Sequence, residues 1–432
     1  MLHCTYSFAA QCRLASGEIK AYLRHGIFPQ AMPTALTDPA ADAAALLRRL
    51  GFAIFMLALP VAALFTRRGV VVLAPLGIIL LIIASALDRT GRPAGPTLRR
   101  IASSRVGLSA GLVLFWCGLS LLWTPFLAEA SERLFNIIGL VALTIAGILA
   151  LPERMRSANL YLLPVGVAAA ALAGIAAVGL QMGKPMDEDG QNLERGLIVL
   201  ALALWPAVAW LVSRGRRLEG GLLVLVVAIA ALLAPHPLPI QGLLIGAVAF
   251  AVTSLSPAFG VKATSLAMAG LLILAPLIPF VLPPLLRVLP ANMTDVLASL
   301  EVWRNVILNE PARLVTGHGF ETALRGRLIG RLPNEMPSTL LFESWYELGL
   351  VGVVAGAVAL ASGAARAGRD HPLLIPGMMA GFASTYGFAC LGIGTAQIWW
   401  LTAVAVAALL FVAIERGQFR TTRPKAFIHG SR

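Results

Sequence analysis

The stretch WRNVILNEPARLVTGHGFETALRGRLIGRLPNEMPSTLLFESWYELGLVG, residues 303–352, is the part of the sequence that best defines the architecture. It is a long and mostly polar segment, whereas the sequence on both sides consists mainly of apolar runs. It contains Gly-His-Gly at 317–319 and two glutamates, Glu343 and Glu347, one helical turn apart. We expect any chemistry of this protein to be located in this segment.

The composition excludes a soluble protein. Hydrophobic residues make up 58% of the 432 residues, charged residues only 13%, and the mean hydropathy is +0.82. This leaves too little polar surface to solvate the apolar side chains. The net charge of +13 would indicate nucleic-acid binding in a soluble chain, but here Lys and Arg lie between apolar runs, as they do in cytoplasmic loops. We predict a polytopic membrane protein that contacts the lipid bilayer and no nucleic acid. The four cysteines show no paired spacing, so no metal site is expected.

The apolar runs predict an all-α bundle of about twelve membrane spans, since about 20 apolar residues cross the hydrocarbon layer as a helix. The predicted spans are 51–66, 69–87, 107–124, 134–151, 160–180, 194–213, 219–234, 238–254, 263–286, 339–362, 373–394 and 395–415. The chain then divides into an N-terminal segment 1–50, a bundle 51–286, a loop 287–338, C-terminal spans 339–415 and a basic tail 416–432.

The positions of Lys and Arg predict the orientation. With the N-terminus in the cytoplasm, 23 of the 34 basic residues fall on the cytoplasmic side. The short loops of the other side carry only Arg67, Arg68, Arg133 and Lys184. The positive-inside rule therefore predicts cytoplasmic termini and an outward-facing loop 287–338. Six basic residues between 287 and 331 do not contradict this, because long loops translocate largely regardless of charge.

Residues 295–309 of this loop are predicted to form a helix. Thr294 or Asp295 can cap its start, and Pro311 follows its end. Its apolar residues recur at helical spacing: Val296, Leu300, Trp303 and Ile307. The following stretch, GHGFETALRGRLIGRLPNEMP, is rich in Gly and Pro and predicts turns.

Charged residues at the edges of spans are candidates for function, because an isolated ion in hydrocarbon is costly. Arg195 is either an interfacial anchor or a cation that binds phosphate or pyrophosphate, for which a guanidinium is well suited. Glu343 and Glu347 share a helical face and serve either in helix capping or structural pairing with the arginines of the loop, or in the site. His318 is either an exposed turn residue or a general base, since imidazole titrates near neutral pH.

Several of these residues match a known motif pattern. The chain resembles the bacterial O-antigen ligase and O-antigen polymerase family, which consists of multi-spanning inner-membrane glycan transferases. In that family a Trp-containing loop helix leads to a proline, a G-x-G turn, a His-Asn pair and a helix start of the form Gln-x-Trp-x-Glu-x-Gly. The matching residues are Trp303, Pro311, Gly317, Gly319, Trp345, Glu347 and Gly349. The stretch NLERGLIVLALALWP, residues 192–206, also resembles the Arg-bearing span of that family, which implies that Arg195 binds the lipid pyrophosphate. The specific motifs cover about 60 residues.

The chain departs from the family pattern at three positions. Ser338 stands where the family has its catalytic histidine, and Thr339 stands where it has asparagine. Ser299 replaces an arginine that usually precedes the loop tryptophan, although Arg304 follows that tryptophan. Three alternatives follow from the missing histidine: His318 substitutes for it, the chemistry differs, or the activity has been lost.

The resemblance implies a function in surface polysaccharide biosynthesis, such as that of lipopolysaccharide, at the outer face of the inner membrane. Members of the family are thought to hold an undecaprenyl-pyrophosphate-linked glycan with outward arginines, while a histidine helps an acceptor hydroxyl attack the anomeric carbon. No metal or cofactor is implied, and the acceptor is a glycan or a lipid A-core type molecule. The alternative is a transporter, flippase or non-catalytic assembly partner for lipid-linked glycan. The catalytic candidates are His318, Glu347 and Ser338. The substrate-binding candidates are Arg195, Trp303, Arg304, Gly317, Gly319 and Glu343.

Overall fold

The computed structural model describes residues 39–66, 68–88, 94–180, 188–286, 294–367, 369, 371–394 and 397–418. The chain divides into two units, Met1–Ala43 and Ala44–Arg432, and all contacts described below lie within the second. Most of the predicted segments 1–50 and 416–432 lie outside the described residues, as does the start of the predicted loop, 287–293.

The described residues are helical and contain no strand, in agreement with the predicted all-α class. The helices are α1 Pro39–Phe65, α2 Gly69–Leu87, α3 Ala94–Ala102, α4 Arg105–Ser120, α5 Leu127–Ala150, α6 Ser157–Gly179, α7 Glu188–Ser213, α8 Arg217–Leu232, α9 Leu238–Leu255, α10 Pro257–Leu286, α11 Thr294–Asn309, α12 Arg313–Thr316, α13 Thr322–Leu328, α14 Leu340–Arg366, α15 Pro372–Leu391 and α16 Ile398–Glu415.

Ten helices of the described part are long and apolar enough to cross a membrane. The other two predicted spans, 107–124 and 219–234, correspond to α4 and α8, which have 16 residues each. Helices α3 and α4 meet at a bend of 75°. Only together are they long and apolar enough to cross a membrane, as one broken span. The chain is therefore a membrane protein with about ten candidate spans.

Helix α1 begins twelve residues before its predicted start at residue 51. The added residues, PAADAAALLRRL, are rich in Ala, Leu and Arg, which favour helix even where hydropathy is low. Hydropathy indicates only the hydrocarbon-spanning part of such a helix, and its polar extension is not apparent from hydropathy.

Helix α7 lies at the centre of the bundle. Of the 18 consecutive residues that are the most apolar in this helix, 89% are buried. The helix packs against α1, α6, α8, α9, α15 and α16. Its sequence LIVLALALWPAVAWL is apolar on all sides, as expected for a helix surrounded by other helices. Arg195 lies near the amino end of this helix.

Helix α14 connects the predicted loop to the bundle, where it packs against α4 and α10. A proline in α10 contributes to this contact. Pro276 has no N–H to donate to the Leu272 carbonyl one turn earlier, and the Trp345 indole Nε1 donates to that carbonyl at 2.8 Å instead. The amino-terminal end of α14 is thereby attached to the bundle.

The predicted loop helix 295–309 corresponds to α11, with Leu300 and Trp303 buried. Two short helices follow that were not predicted: α12, directly before the turn-rich stretch, and α13, within it. Both pack against α14, so this region is folded onto the end of the bundle.

Candidate functional site

Helix α14 is interrupted at Gly349, where φ is 61° and ψ is −162°. The chain leaves the helical path there, so the following N–H groups turn away from the carbonyls of Tyr346, Glu347 and Leu348. Buried carbonyls need partners, and the loop supplies them. His318 N donates to Tyr346 O at 2.8 Å, and Gly319 N donates to Glu347 O at 3.1 Å.

The third carbonyl is bound by a more distant helix. Trp116 Nε1 in α4 donates to Leu348 O at 2.8 Å, across 232 residues of sequence. The break in α14 is thus the point at which the Gly-His-Gly turn and α4 converge.

The glycines of this turn are required by their backbone angles and by close contacts. Gly317 has φ 73° and Gly319 has φ 106°, values that disfavour residues with a side chain. A Cβ on Gly317 would lie 2.2 Å from Glu347 O, and one on Gly319 would lie 2.9 Å from Thr124 Cα. The two predicted substrate-binding glycines therefore hold the turn against α14 and the α4–α5 connection.

We expect Gly349→Ala to lower the free energy of unfolding by more than about 2 kcal/mol. At φ 61° and ψ −162° a residue with a Cβ is strained by about 1–3 kcal/mol, and that Cβ would lie 2.6 Å from Gly317 N. The matched control is Gly363→Ala in the same helix, where an added Cβ meets nothing within 4 Å. Thermal unfolding in detergent should show a large loss for the first variant and none for the control, and equal effects would contradict the structural role of the break.

His318 is held in one orientation. Its ring stacks on Tyr346 with centroids 4.0 Å apart, and its Nδ1 lies 3.0 Å from Tyr346 O. A carbonyl oxygen only accepts, so Nδ1 carries the hydrogen, and Nε2 of the neutral ring carries the free lone pair. Nε2 lies 3.3 Å from Glu310 Oε2. The ring therefore presents its proton-accepting nitrogen beside a carboxylate that can stabilise the protonated form.

Burial lowers the pKa of His318 below its usual 6.5, because removal from water disfavours the charged ring. The Tyr346 carbonyl and the charge of Glu310 oppose this shift, while Arg313 adds to it. At neutral pH the ring is thus mainly neutral and able to accept a proton, as a general base requires.

His318 lines a small cavity at this end of the bundle, with an enclosed volume of about 20 Å³, which is room for about one water. Glu310 and Arg313 contribute the charged part of its wall. Much of the remainder is aromatic: Trp303, Phe342, Trp345 and Tyr346. The rings are in mutual contact, with Phe342 stacked on Tyr346 at 5.4 Å and edge-on to Trp303 at 5.6 Å. A mainly apolar pocket with a few convergent polar groups is the usual form of a ligand site.

A buried ion pair fixes the loop to α5. Arg133 pairs with Glu321, and both side chains are less than 10% exposed. The Arg133 guanidinium also lies 5.0 Å from the centroid of the Phe320 ring. Glu321 has φ 68° and also faces Arg325, with Oε1 and Nε 3.7 Å apart. This pair is the strongest electrostatic link that we identify between the loop and the spans.

The structure places the two predicted glutamates outside the His318 cavity. The Glu347 carboxylate accepts a hydrogen bond from Ala323 N at 3.1 Å, at the first turn of α13. The Glu343 carboxylate packs on Gly394, where an added Cβ would lie 2.8 Å from its Oε1. Both carboxylates are buried in the protein.

Three further predicted residues also lie apart from this cavity. Arg195 lines a separate cavity with His236 and Trp399, and its guanidinium lies 6.0 Å from the centroid of the Trp399 ring. Arg304 pairs with Glu301 at 3.9 Å on the exposed side of α11. Ser338, at the histidine position of the motif, accepts a hydrogen bond from Arg327. Of the nine predicted site residues, His318 and Trp303 line the cavity, and Gly317 and Gly319 support it.

Sequence reasoning missed Glu310, Arg313 and Arg133. Glu310 and Arg313 are near neighbours of the Gly-His-Gly turn, but nothing in their spacing indicates that the chain folds back over His318. Arg133 did carry a signal, because it is a basic residue at the edge of an apolar span on the side predicted to be poor in positive charge.

No protein-family model matches this chain, and no curated protein matches it.

Proposed function

We propose that the protein is a lipid-linked glycan transferase of the O-antigen ligase or polymerase type. The observation that carries this proposal is the aromatic cavity in which a neutral, oriented His318 presents Nε2 beside Glu310. A sugar would bind against the mouth of this cavity, where flat aromatic rings contact the apolar face of a pyranose and the charged side chains bind its hydroxyls. The motif residues Trp303, Gly317, Gly319 and Gly349 support the same assignment.

The proposed reaction is a single displacement. An acceptor hydroxyl oxygen forms a bond to the anomeric carbon of the donor sugar, and the bond from that carbon to the pyrophosphate oxygen breaks. The polyprenyl pyrophosphate leaves with the bonding electrons, and the hydroxyl proton passes to His318 Nε2. Glu310 then pairs with the imidazolium, and Arg313, which lies 3.8 Å from Glu310 in the wall of the same cavity, binds a hydroxyl of the acceptor.

The proposed topology has twelve spans, cytoplasmic termini and an outer loop at 287–338 in the bacterial inner membrane. It is supported by contacts at the other end of the bundle. Met155 N donates to Arg416 O, and Arg214 donates to Gly417 O. These loops are therefore together at one end, and they are among the segments that the positive-inside rule assigns to the cytoplasm.

Arg195 is proposed to bind the pyrophosphate of the donor from its own cavity. The amino-terminal turns of α14 contribute to both regions, with Phe342, Trp345 and Tyr346 in the His318 cavity and Glu343 beside Gly394. The chain next to Gly394 lines the Arg195 cavity. A donor and an acceptor bound on two sides of one helix end would approach each other there.

The proposal is tested by measuring transfer from a polyprenyl-pyrophosphate glycan by the purified protein. We expect transfer by the wild type, and a loss of at least about tenfold in Arg195→Gln and in Arg313→Gln, one strong charge-assisted contact being worth about that factor. Arg304→Gln is the matched control, because Arg304 is paired at the surface outside both cavities, and it should retain activity. Full activity in both Arg195→Gln and Arg313→Gln would refute the proposed roles.

A transporter or flippase is the second candidate, because the break at Gly349 is a feature that transporters use at their binding sites. In such sites, freed carbonyls coordinate ions. Here the carbonyls of Tyr346, Glu347 and Leu348 already accept hydrogen bonds from the protein. Movement of labelled lipid-linked glycan across vesicles without any transfer to acceptor would favour this alternative.

A further inference from the structure

A second polar cavity lies at the end of α5 opposite to the candidate site. Helix α5 has 24 residues and is about 36 Å long. Arg133 lies near its start, and the segment 152–156 directly follows its end. This cavity has an enclosed volume of about 100 Å³, and four arginines line it: Arg48, Arg49, Arg154 and Arg156. Asn159 adds an amide to the same wall.

The backbone of this cavity is held in place by the carboxyl end of α16. The Arg416 side chain donates to Leu151 O, and Met155 N donates to Arg416 O at 3.1 Å. Leu151 and Met155 are buried, and Met155 lines the cavity. These two hydrogen bonds to Arg416 fix the backbone of the segment that carries Arg154 and Arg156.

The cavity has an excess of positive charge. Arg48 is held by Asp88, with Nη2 and Oδ2 3.0 Å apart. Among the residues that the structure describes, Arg49 and Arg156 form no ion pair, and both are exposed. No carboxylate is among the described residues that line the cavity. The guanidiniums of Arg49 and Arg156 therefore favour an anion, and phosphate oxygens fit their planar N–H groups.

The cavity also borders an apolar surface. Leu46 and Leu50 flank the two arginines of α1 and are 67% and 51% exposed. Both lie on a helix that is long and apolar enough to span a membrane. Exposed leucines beside clustered arginines are typical of the boundary between hydrocarbon and headgroups, where basic pockets between helices bind anionic lipid.

We propose that this cavity binds a phosphate group, in the form of the headgroup of an anionic phospholipid. The same guanidiniums could hold free phosphate, and the experiment distinguishes the two sources. This site is independent of the proposed transfer reaction, because it lies at the other end of the bundle.

The test uses the purified full chain in a neutral detergent and measures binding of dioctanoyl phosphatidylglycerol by microscale thermophoresis. Dioctanoyl phosphatidylcholine and inorganic phosphate are the comparison ligands. We expect Arg49→Gln/Arg156→Gln to weaken phosphatidylglycerol binding roughly 100-fold, since each lost charge-assisted contact accounts for about tenfold. Arg366→Gln/Arg369→Gln is the matched control, because it removes the same charge at other exposed positions, and it should bind like the wild type.

Each result has a defined meaning. Phosphatidylglycerol binding that is lost only in the first double variant supports the proposal, and phosphate that binds as tightly as the lipid assigns the cavity to the free ion. Equal weakening in both double variants would show diffuse attraction and overturn the proposal, as would equally tight binding of phosphatidylcholine. If the first double variant does not fold, the salt dependence of phosphatidylglycerol binding by the wild type tests the proposal instead. Binding that does not weaken with added salt would contradict an ionic headgroup site.

Discussion

Replacing His318 with glutamine should lower the rate of glycan transfer by about 10²–10⁴-fold, the usual contribution of a general base. Glutamine can still donate a hydrogen bond to Tyr346 O and fill much of the same space, but it cannot accept the hydroxyl proton. Donor binding should therefore persist while transfer is lost. His371→Gln is the matched control, since His371 lies in the connection between α14 and α15 and lines neither cavity of the candidate site.

The pH dependence of transfer gives an independent readout of the same residue. The base acts in its neutral form, and burial lowers the pKa of His318 below 6.5. Transfer should therefore be constant near pH 7 and decline only as the pH falls below 6.5. Glu310→Gln removes a charge that raises this pKa, so the acid decline should move to still lower pH.

Glu301→Gln is the control for this shift, because it removes a carboxylate from the same loop at an exposed position. An acid decline at the same pH in wild type and Glu310→Gln would exclude His318 as the titrating base. Transfer retained in His318→Gln but lost in Ser338→Ala would instead assign the chemistry to the motif position.

Replacing Arg133 with methionine should lower the free energy of unfolding by about 3 kcal/mol. Methionine fills much of the same volume but leaves Glu321 buried without its partner, and breaking a buried ion pair costs about 3–5 kcal/mol. We expect the lower end of this range, because Arg325 stays 3.7 Å from Glu321. Chemical unfolding in detergent micelles measures the change.

Two further variants make this prediction specific. In Arg133→Met/Glu321→Met no charge is left unpaired, so much of the stability should return. Arg216→Met breaks an ion pair of 2.8 Å whose side chains are about half exposed, and it should cost less than about 1 kcal/mol. Equal losses in Arg133→Met and Arg216→Met would contradict a buried, structurally important pair.

Much of the fold was predictable because membrane spans are local features of sequence. A run such as LIVLALALWPAVAWL has to be buried or face lipid, and its backbone must form helix in either case. The loop helix was predictable for a similar reason, since capping, periodicity and a following proline act within a few residues. The start of α1 was missed because helix propensity continued beyond the apolar run.

Less of the candidate site was predictable. His318 and Trp303 were identified from local pattern and motif, and both line the cavity. Glu343 and Glu347 were assigned to a shared helical face correctly, but the sequence did not indicate what that face contacts. In the structure it faces Ala323 and Gly394, so the two carboxylates support the fold around the cavity.

The sequence by itself determined that the chain is a helical membrane protein with one long polar loop, because hydropathy and helix signals act over neighbouring residues. Only the tertiary structure decided which groups meet at the break in α14. Trp116 binds Leu348 across 232 residues, and Arg133 binds Glu321 across 188. Such contacts depend on how helices pack in three dimensions, and no local spacing encodes them.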